Sequence, residues 1–193
     1  MNKRLLNNKA LVAYIIGVAL GDGNLSNYSG RAARLRVTCD KKYPELLTRI
    51  QKSIRKILPD NKIQIVNRKG CFDVSCYSNY WPKILGWHPD KGSKYVQKVK
   101  IPVWILEDPK YTRKCLKGLF ETDGCIYIDR KYKMANFVST IPSLAMQVYE
   151  SIKFLGYRPN LQTVVPKIGK EKYTIRLSRN AEKFIKEINM EKD

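Results

Sequence analysis

The chain has 193 residues, of which 44% are hydrophobic, and its 37 Lys and Arg against 17 Asp and Glu give a net charge of +20. This length is enough for one core or for two small cores that share an interface, and the composition excludes a disordered tail. No apolar run reaches the ~20 residues of a membrane span, and the positive charge is spread along the whole chain, so we expect a nucleic acid and no membrane as the partner.

The residue types also limit the chemistry. Five cysteines, odd in number and without a CxxC pair, are typical of free thiols, and we expect an intracellular, reducing compartment. The only histidine is His88. A single histidine excludes histidine-rich metal sites, and its place between Trp87 and Pro89 is more typical of a packing or surface residue than of a Ser-His-Asp triad. Any hydrolysis must therefore depend on carboxylates, a metal ion and lysines.

The first half of the chain begins with a helix signal. Asn8 precedes an apolar pattern of helical period that ends in the sequence IIGVALGDG (15–23). The alternating sequence RLRVT (34–38) then predicts a strand, and a helix is predicted over 43–58. A hairpin with its turn at 68–70 follows.

The second half repeats this order. An Asp-Pro pair at 108–109 predicts the start of a helix, which ends in the sequence LKGLFETDG (116–124). The sequence ANFVST (135–140) predicts a strand after a charged turn, and a helix is predicted over 143–155. A second hairpin turns near Gly169.

Each half therefore reads helix, two strands, helix, two strands, helix. One shared Asp-Gly pair could arise by chance, since it is a common turn sequence. A shared order of elements at an offset of 101 residues indicates a duplication. We predict an α+β fold of two pseudo-symmetric αββαββα repeats, over 1–86 and 108–193, joined by a linker over 87–107.

Two equivalent helices thus end in an aspartate, Asp22 and Asp123. These could be simple turn residues before a helix-ending glycine. A carboxylate in the last turn, however, faces the negative end of the helix dipole, which costs about 0.3–1 kcal/mol. A divalent cation between the two carboxylates would remove this penalty, and hard oxygen ligands suit Mg²⁺.

The spacing of small residues predicts where the two carboxylates meet. Small residues four positions apart let two helix backbones approach closely. Each helix has such a pair: Gly17 and Gly21 in the first, Gly118 and Thr122 in the second. Two such helices, side by side and in the same direction, bring Asp22 and Asp123 to one point. This arrangement is typical of metal-assisted phosphodiester hydrolysis.

At these residues the sequence resembles the LAGLIDADG homing endonucleases. The nine-letter motif is matched in the first copy at Gly17, Asp22 and Gly23, and in the second at Leu116, Gly118, Leu119, Asp123 and Gly124. The two copies and the pattern after each of them cover nearly the whole chain, whose length matches the single-chain, two-repeat members. The resemblance implies a monomer with two parallel motif helices and two saddle-shaped antiparallel sheets in the DNA major groove.

The resemblance also implies an activity. Members that act in intron homing hydrolyse both strands across the minor groove of a long, asymmetric or roughly palindromic site and leave 3′ overhangs. It implies Mg²⁺ on Asp22 and Asp123 and on the carbonyl groups of Gly21 and Thr122, with Mn²⁺ or Ca²⁺ able to substitute for binding. The presence of both carboxylates favours an active enzyme.

Two details of the family pattern differ or stay open. Some members position water with a glutamine, and here that place falls on Cys39 or Asp40 in one half and on Ser139 or Thr140 in the other. A nearby lysine commonly assists such sites. We name Lys100 for this role among four candidates: Lys41, Lys42, Lys98 and Lys100.

If one face of each sheet packs on helices, alternation assigns the other face to DNA. The first half would contribute Ser26, Tyr28, Arg34, Arg36, Thr38, Gln64, Arg68, Asp73, Ser75 and Tyr77. The second half would contribute Tyr127, Asp129, Lys131, Asn136, Gln162, Lys167, Lys172, Thr174 and Arg176. Arginine, glutamine and aspartate can read base edges, and the remaining lysines can contact phosphates.

Two other functions fit the same sequence. One is a non-catalytic DNA- or RNA-binding protein of the same fold, such as a maturase that acts on a host intron RNA. The other is a basic RNA- or ribosome-associated structural protein in which the Asp-Gly pairs are only turns. The two aspartates favour the endonuclease over both.

Overall fold

A computed structural model of the chain describes residues 8–27 and 30–191. The first half consists of α1 (Lys9–Gly21), β1 (Gly23–Ser26), β2 (Arg34–Asp40), α2 (Pro44–Ile57), β3 (Ile63–Asn67), β4 (Cys71–Tyr77) and α3 (Trp81–Leu85). A short helix, α4 (Val103–Leu106), precedes the second half. That half consists of α5 (Pro109–Thr122), β5 (Gly124–Asp129), β6 (Tyr132–Ser139), α6 (Pro142–Phe154), β7 (Asn160–Val164), β8 (Lys172–Leu177) and α7 (Ala181–Glu187).

The two halves have the same topology. Each contains a four-stranded antiparallel sheet, with strand orders β1-β2-β4-β3 and β5-β6-β8-β7. The predicted α+β fold of two αββαββα repeats is therefore confirmed. None of the helices in the described part of the chain has the length and apolar character that crossing a membrane requires.

Alternation along the strands determines which face of each sheet is buried. In β4 and β8 the inward positions Val74, Cys76, Ile175 and Leu177 are almost completely inaccessible to solvent. Helices cover this face with apolar residues three and four positions apart, as Ile50, Ile54 and Ile57 of α2 show. On the opposite face of each sheet, called the open face below, outward positions such as Gln64, Gln162 and Lys172 are exposed.

Helices α1 and α5 cross at two glycines. A Cβ atom added at Gly17 would lie 2.1 Å from the carbonyl oxygen of Cys115, and one added at Gly118 would lie 2.3 Å from that of Tyr14. The backbones therefore touch at this crossing. One turn later Gly21 contacts Thr122 and Asp123. The contacting residue numbers thus increase in both helices in the same direction, so the helices are parallel. The predicted close packing of small residues is confirmed.

A buried polar network joins the halves beside this crossing. Glu121 of α5 is 0% exposed, and it accepts a hydrogen bond of 2.8 Å from the Tyr14 hydroxyl group of α1. The Arg49 guanidinium group of α2 lies 3.3 Å from the same carboxylate, and the Lys117 ammonium group lies 3.4 Å from it. Two cations and a hydroxyl group thus compensate the buried charge, which ties the second half to the first.

Candidate metal centre and nucleic-acid interface

The parallel helices bring their C-terminal ends together. A Cβ atom at Gly21 would lie 2.0 Å from Thr122 Oγ1 and 3.4 Å from the carboxyl carbon of Asp123. Asp22 is the C-cap residue of α1, and Asp123 is the C-cap residue of α5. Both side chains are exposed at this junction. The four residues predicted to form the metal site therefore lie at one junction.

The glycines after the aspartates are required by space. Gly23 and Gly124 begin β1 and β5, and neither has the left-handed backbone conformation of a helix-ending glycine. A Cβ atom at either position would come within 2.5 Å of the last helical turn, at the carbonyl oxygen of Ala19 or Phe120. Glycine thus lets each strand start directly against its helix, which places the aspartates at the sheet edge.

A lysine that the sequence analysis did not single out lies at this junction. The Lys94 ammonium group donates hydrogen bonds to the carbonyl oxygens of Ala19 at 3.3 Å, Leu20 at 2.8 Å and Gly21. Burial lowers the pKa of Lys94 from its ordinary value, and the charges of Asp123 and Asp22 oppose that shift. One cation thus faces both carboxylates and the end of α1.

Lys100, the lysine predicted for this role, is exposed and lies in the segment after Lys94. Its part in catalysis stays a prediction. The sequence contained one signal for Lys94: two carboxylates at adjoining helix ends require a nearby cation. It gave no way to choose among the linker lysines, because their positions depend on how the linker folds.

Cys39 and Asp40 are the candidates of the first half for the water-positioning place, and the role of either stays a prediction. Cys39 is buried at the end of β2, and burial raises its pKa to about 12, with smaller contributions from Asp22 and Asp73. The thiol is therefore neutral at physiological pH and lies near the Asp22 carboxylate. Asp40 is exposed, and its side chain accepts a hydrogen bond from the Lys42 backbone N–H.

The donor atoms at the junction fit a hard divalent cation. Two carboxylates and the carbonyl groups at the ends of α1 and α5 supply only oxygen. In the described residues no group of three or more His, Cys, Asp or Glu side chains could hold a metal ion by itself. The Lys94 ammonium group shows that this junction accepts a positive charge.

The open face of the first sheet carries the residues that alternation assigned to it. The register pairs Arg36 with Ser75 and Thr38 with Asp73. Asp73 is only 4% exposed, because β4 lies between two neighbouring strands. Burial opposes ionisation of Asp73, but hydrogen bonds from Thr38 and Arg68 outweigh it and lower its pKa. Asp73 thus positions Thr38 and Arg68 on this face.

The open face of the second sheet has a similar cluster. Arg176 lies 2.9 Å from the Asp129 carboxylate, and its guanidinium group lies over the Tyr127 ring at 5.8 Å. Asn136 donates to the Tyr127 hydroxyl group at 3.4 Å. Within the described residues, Arg36 Nε in the first sheet and Asn136 Oδ1 in the second are buried without a hydrogen-bond partner. Neither cluster therefore satisfies all of its polar atoms internally.

The other predicted DNA-contacting residues fall into three groups. Gln64, Gln162, Lys172 and Thr174 lie on the open faces by register, as do Ser26, Arg34 and Tyr77. Lys131 lies in the turn between β5 and β6, and Lys167 lies in the β7–β8 hairpin loop. Tyr28 lies outside the described residues. Contact of all these residues with DNA stays a prediction.

Comparison with known proteins identifies the second half and the overall fold. Residues 110–189 match the LAGLIDADG-like domain. The structure of I-DmoI in complex with DNA and Mn has 20% sequence identity and a TM-score of 0.68, over 94% of this chain and 97% of that chain. Mesophilic variants of the homing endonuclease I-DmoI match at 19% identity and a TM-score of 0.66, over 94% and 96% of the two chains.

The same fold occurs in a different setting. The N-terminal LAGLIDADG domain of DUF199/WhiA matches at 12% identity and a TM-score of 0.64, over 95% of this chain and 84% of that chain. None of the curated proteins matches the chain. At these identities the structural matches show the fold alone.

Proposed function

We propose that the protein is a site-specific, divalent-metal-dependent DNA endonuclease. Residues 110–189 match the LAGLIDADG-like domain, and the whole chain has the two-repeat LAGLIDADG fold. The observation that supports this most strongly is the meeting of two carboxylate-bearing helix ends at a single junction. A cation-binding centre explains why both of these helix ends carry an acidic residue.

In this proposal each part of the chain has a separate task. The open faces of the two sheets bind the duplex, and their polar side chains read base edges. Asp22 and Asp123, with the carbonyl groups of Gly21 and Thr122, hold the metal. When bound there, Mg²⁺ would supply an activated water and would stabilise the leaving oxygen. Each half contributes one acid to this junction, and we propose that both strands are cut and that 3′ overhangs result.

The test compares isosteric variants of the two acids. Asp22→Asn and Asp123→Asn keep the side-chain volume but remove a charge, so each should abolish Mg²⁺-dependent nicking and cleavage of a plasmid library. Binding to double-stranded DNA in Ca²⁺-free buffer should stay within a few-fold, because binding depends on the basic surface. Asp90→Asn, at an exposed linker position, is the matched control and should retain full cleavage.

The outcomes separate the alternatives. Full cleavage by either acid variant would contradict the metal assignment. Tight binding of DNA without cleavage by the unmodified protein, at any divalent metal, would favour a non-catalytic DNA-binding protein of the same fold. Preferential binding of structured intron RNA would favour the maturase.

A further inference from the structure

The last carbonyl groups of a helix have no partner within it, and these groups in α1 are capped by a single side chain. Lys94 comes from the linker, and its ammonium group contacts three consecutive carbonyl oxygens, those of Ala19, Leu20 and Gly21. All three donor hydrogens of an ammonium group can be used in this way. The contact thus has the form of a cation in a cage of carbonyl oxygens.

The last turn of the second motif helix has a local side-chain contact. The Thr122 hydroxyl group of α5 donates to the carbonyl oxygens of Gly118 at 2.9 Å and Leu119 at 3.0 Å, which lie four and three residues earlier in the same helix. These bonds stay within α5, whereas the Lys94 contact joins the end of α1 to the linker.

The linker is folded so that it presents Lys94. The Gln97 side chain donates to the carbonyl oxygens of His88 and Gly92, both at 2.8 Å, and accepts from the His88 backbone N–H at 2.9 Å. The backbone N–H of Val99 donates to the Lys94 carbonyl oxygen at 3.2 Å. These bonds close the segment 88–99 into a turn on both sides of Lys94. Its position at the junction is therefore set by the turn as well as by charge.

We propose that the Lys94 ammonium group is the resident cation of the metal-free protein and that a divalent metal must displace it from the Gly21 carbonyl oxygen. This inference rests on the proposed function, because it assigns the same carbonyl oxygen to the metal. The carbonyl oxygen has two lone pairs, but a divalent metal and an ammonium group bound to the same oxygen would lie only a few ångströms apart and repel each other, so the metal would move Lys94 away. Lys94 thus holds the helix ends together before the metal binds and lowers the apparent affinity for the metal.

The experiment uses the full chain in two states, metal-free in EDTA and titrated with Ca²⁺, so that no cleavage is needed. Lys94→Met removes the charge and the donors but keeps an unbranched side chain. Lys94→Gln keeps two donors without the charge. Lys91→Met, at an exposed position of the same linker, is the matched control. Thermal unfolding and calorimetric Ca²⁺ binding are measured for all four proteins.

Lys94→Met removes a cation whose charge acts on both carboxylates and whose donors bond the last carbonyl groups of α1. The metal-free Lys94→Met protein should therefore unfold roughly 3 °C or more below the unmodified protein. If Lys94 occupies the cage about nine-tenths of the time, removing it should tighten Ca²⁺ binding roughly ten-fold. Lys94→Gln should show the tighter Ca²⁺ binding with a smaller loss of stability. Lys91→Met should change neither quantity.

Two results would overturn the inference: an unchanged unfolding temperature of Lys94→Met in EDTA, or Ca²⁺ affinity that is equal to or weaker than that of the unmodified protein. Absence of cleavage on any DNA would contradict the proposed nuclease alone, because both measurements here are made without cleavage. If the unmodified protein bound no Ca²⁺ and Lys94→Met did, the displacement would be supported.

Discussion

The contact between α1 and α5 allows a substitution whose effect can be worked out from the structure. Gly17→Ala places a methyl carbon 2.1 Å from the carbonyl oxygen of Cys115 and 3.1 Å from the backbone nitrogen of Leu119. Real Cβ atoms essentially never come closer than 3.0 Å to another heavy atom. The atom that it meets is backbone, so no side-chain rotation relieves the clash. The helices must separate by roughly 1 Å at the crossing, enough to forfeit a quarter to a half of each packing contact there.

The expected cost follows from two opposing effects. Alanine stabilises a helix interior by about 0.5–1 kcal/mol relative to glycine. Overpacking of a close contact costs about 1–3 kcal/mol and occasionally more. Because the clash is with backbone, the upper end of this cost applies, and we expect a net loss of about 2–2.5 kcal/mol in the free energy of unfolding. The aspartates lie one turn beyond the crossing, so a displacement of about 1 Å should lower cleavage by about a hundred-fold as well.

Urea denaturation of the metal-free protein measures the stability, and plasmid nicking measures the activity. Gly86→Ala is the control, since it has a positive φ of 83° and no atom within 4 Å of the added carbon. It should lose only about 1 kcal/mol from backbone strain, with full activity. A Gly17→Ala protein as stable as the unmodified chain would show that the helices do not touch at this residue, and the argument from glycine spacing would fail.

Two further predictions concern buried and titrating side chains. Tyr14→Phe removes the hydroxyl group that donates to the buried carboxylate of Glu121, and it should lower the free energy of unfolding in urea by about 1–3 kcal/mol. The control Tyr80→Phe, at a residue that is 45% exposed, should change it by less than about 0.5 kcal/mol. Equal losses would contradict the network. The hydrogen bond from Tyr157 lowers the pKa of Glu187, whereas burial and that bond raise the pKa of Tyr157 to about 12. Glu187 therefore stabilises the fold above about pH 4.3, and this contribution is lost as pH falls through its lowered pKa. Tyr157 contributes below about pH 10, and its contribution is lost as pH rises through 12. Tyr157→Phe should flatten the dependence of the free energy of unfolding on pH at both ends, and an unchanged dependence would refute the assignment.

Much of the architecture could be predicted because the chain repeats itself. The offset between the Asp-Gly pairs predicted the order of elements, and the glycine spacing predicted the crossing of the motif helices. Both signals are regular spacings along the chain, and the helix and strand patterns around them reflect packing rules that hold for any helix or strand. The N-cap role of Asp108 is confirmed in the same way, since its carboxylate accepts from the Lys110 backbone N–H at 2.7 Å.

The features that could not be predicted depend on contacts between distant segments. Lys94 reaches the helix ends because the linker folds into a closed turn, and nothing periodic marks that turn. Alternation placed Asp73 correctly on the open face of its sheet, yet the central position of β4 buries it. The strand predicted to begin at residue 135 in fact begins at Tyr132, as β6. Two residues, Arg130 and Lys131, with positive φ, suffice to reverse the chain.

The buried carboxylate of Glu121 has a consequence for rearranging this chain. Its partners Tyr14 and Arg49 come from the first half, while Lys117 comes from its own helix. A second half produced alone would expose that carboxylate without Tyr14 and Arg49, and a first half produced alone would leave Tyr14 facing water. Hybrid proteins that join either half to a foreign one must therefore transplant this cluster whole, or replace all of its members with apolar residues of matching volume.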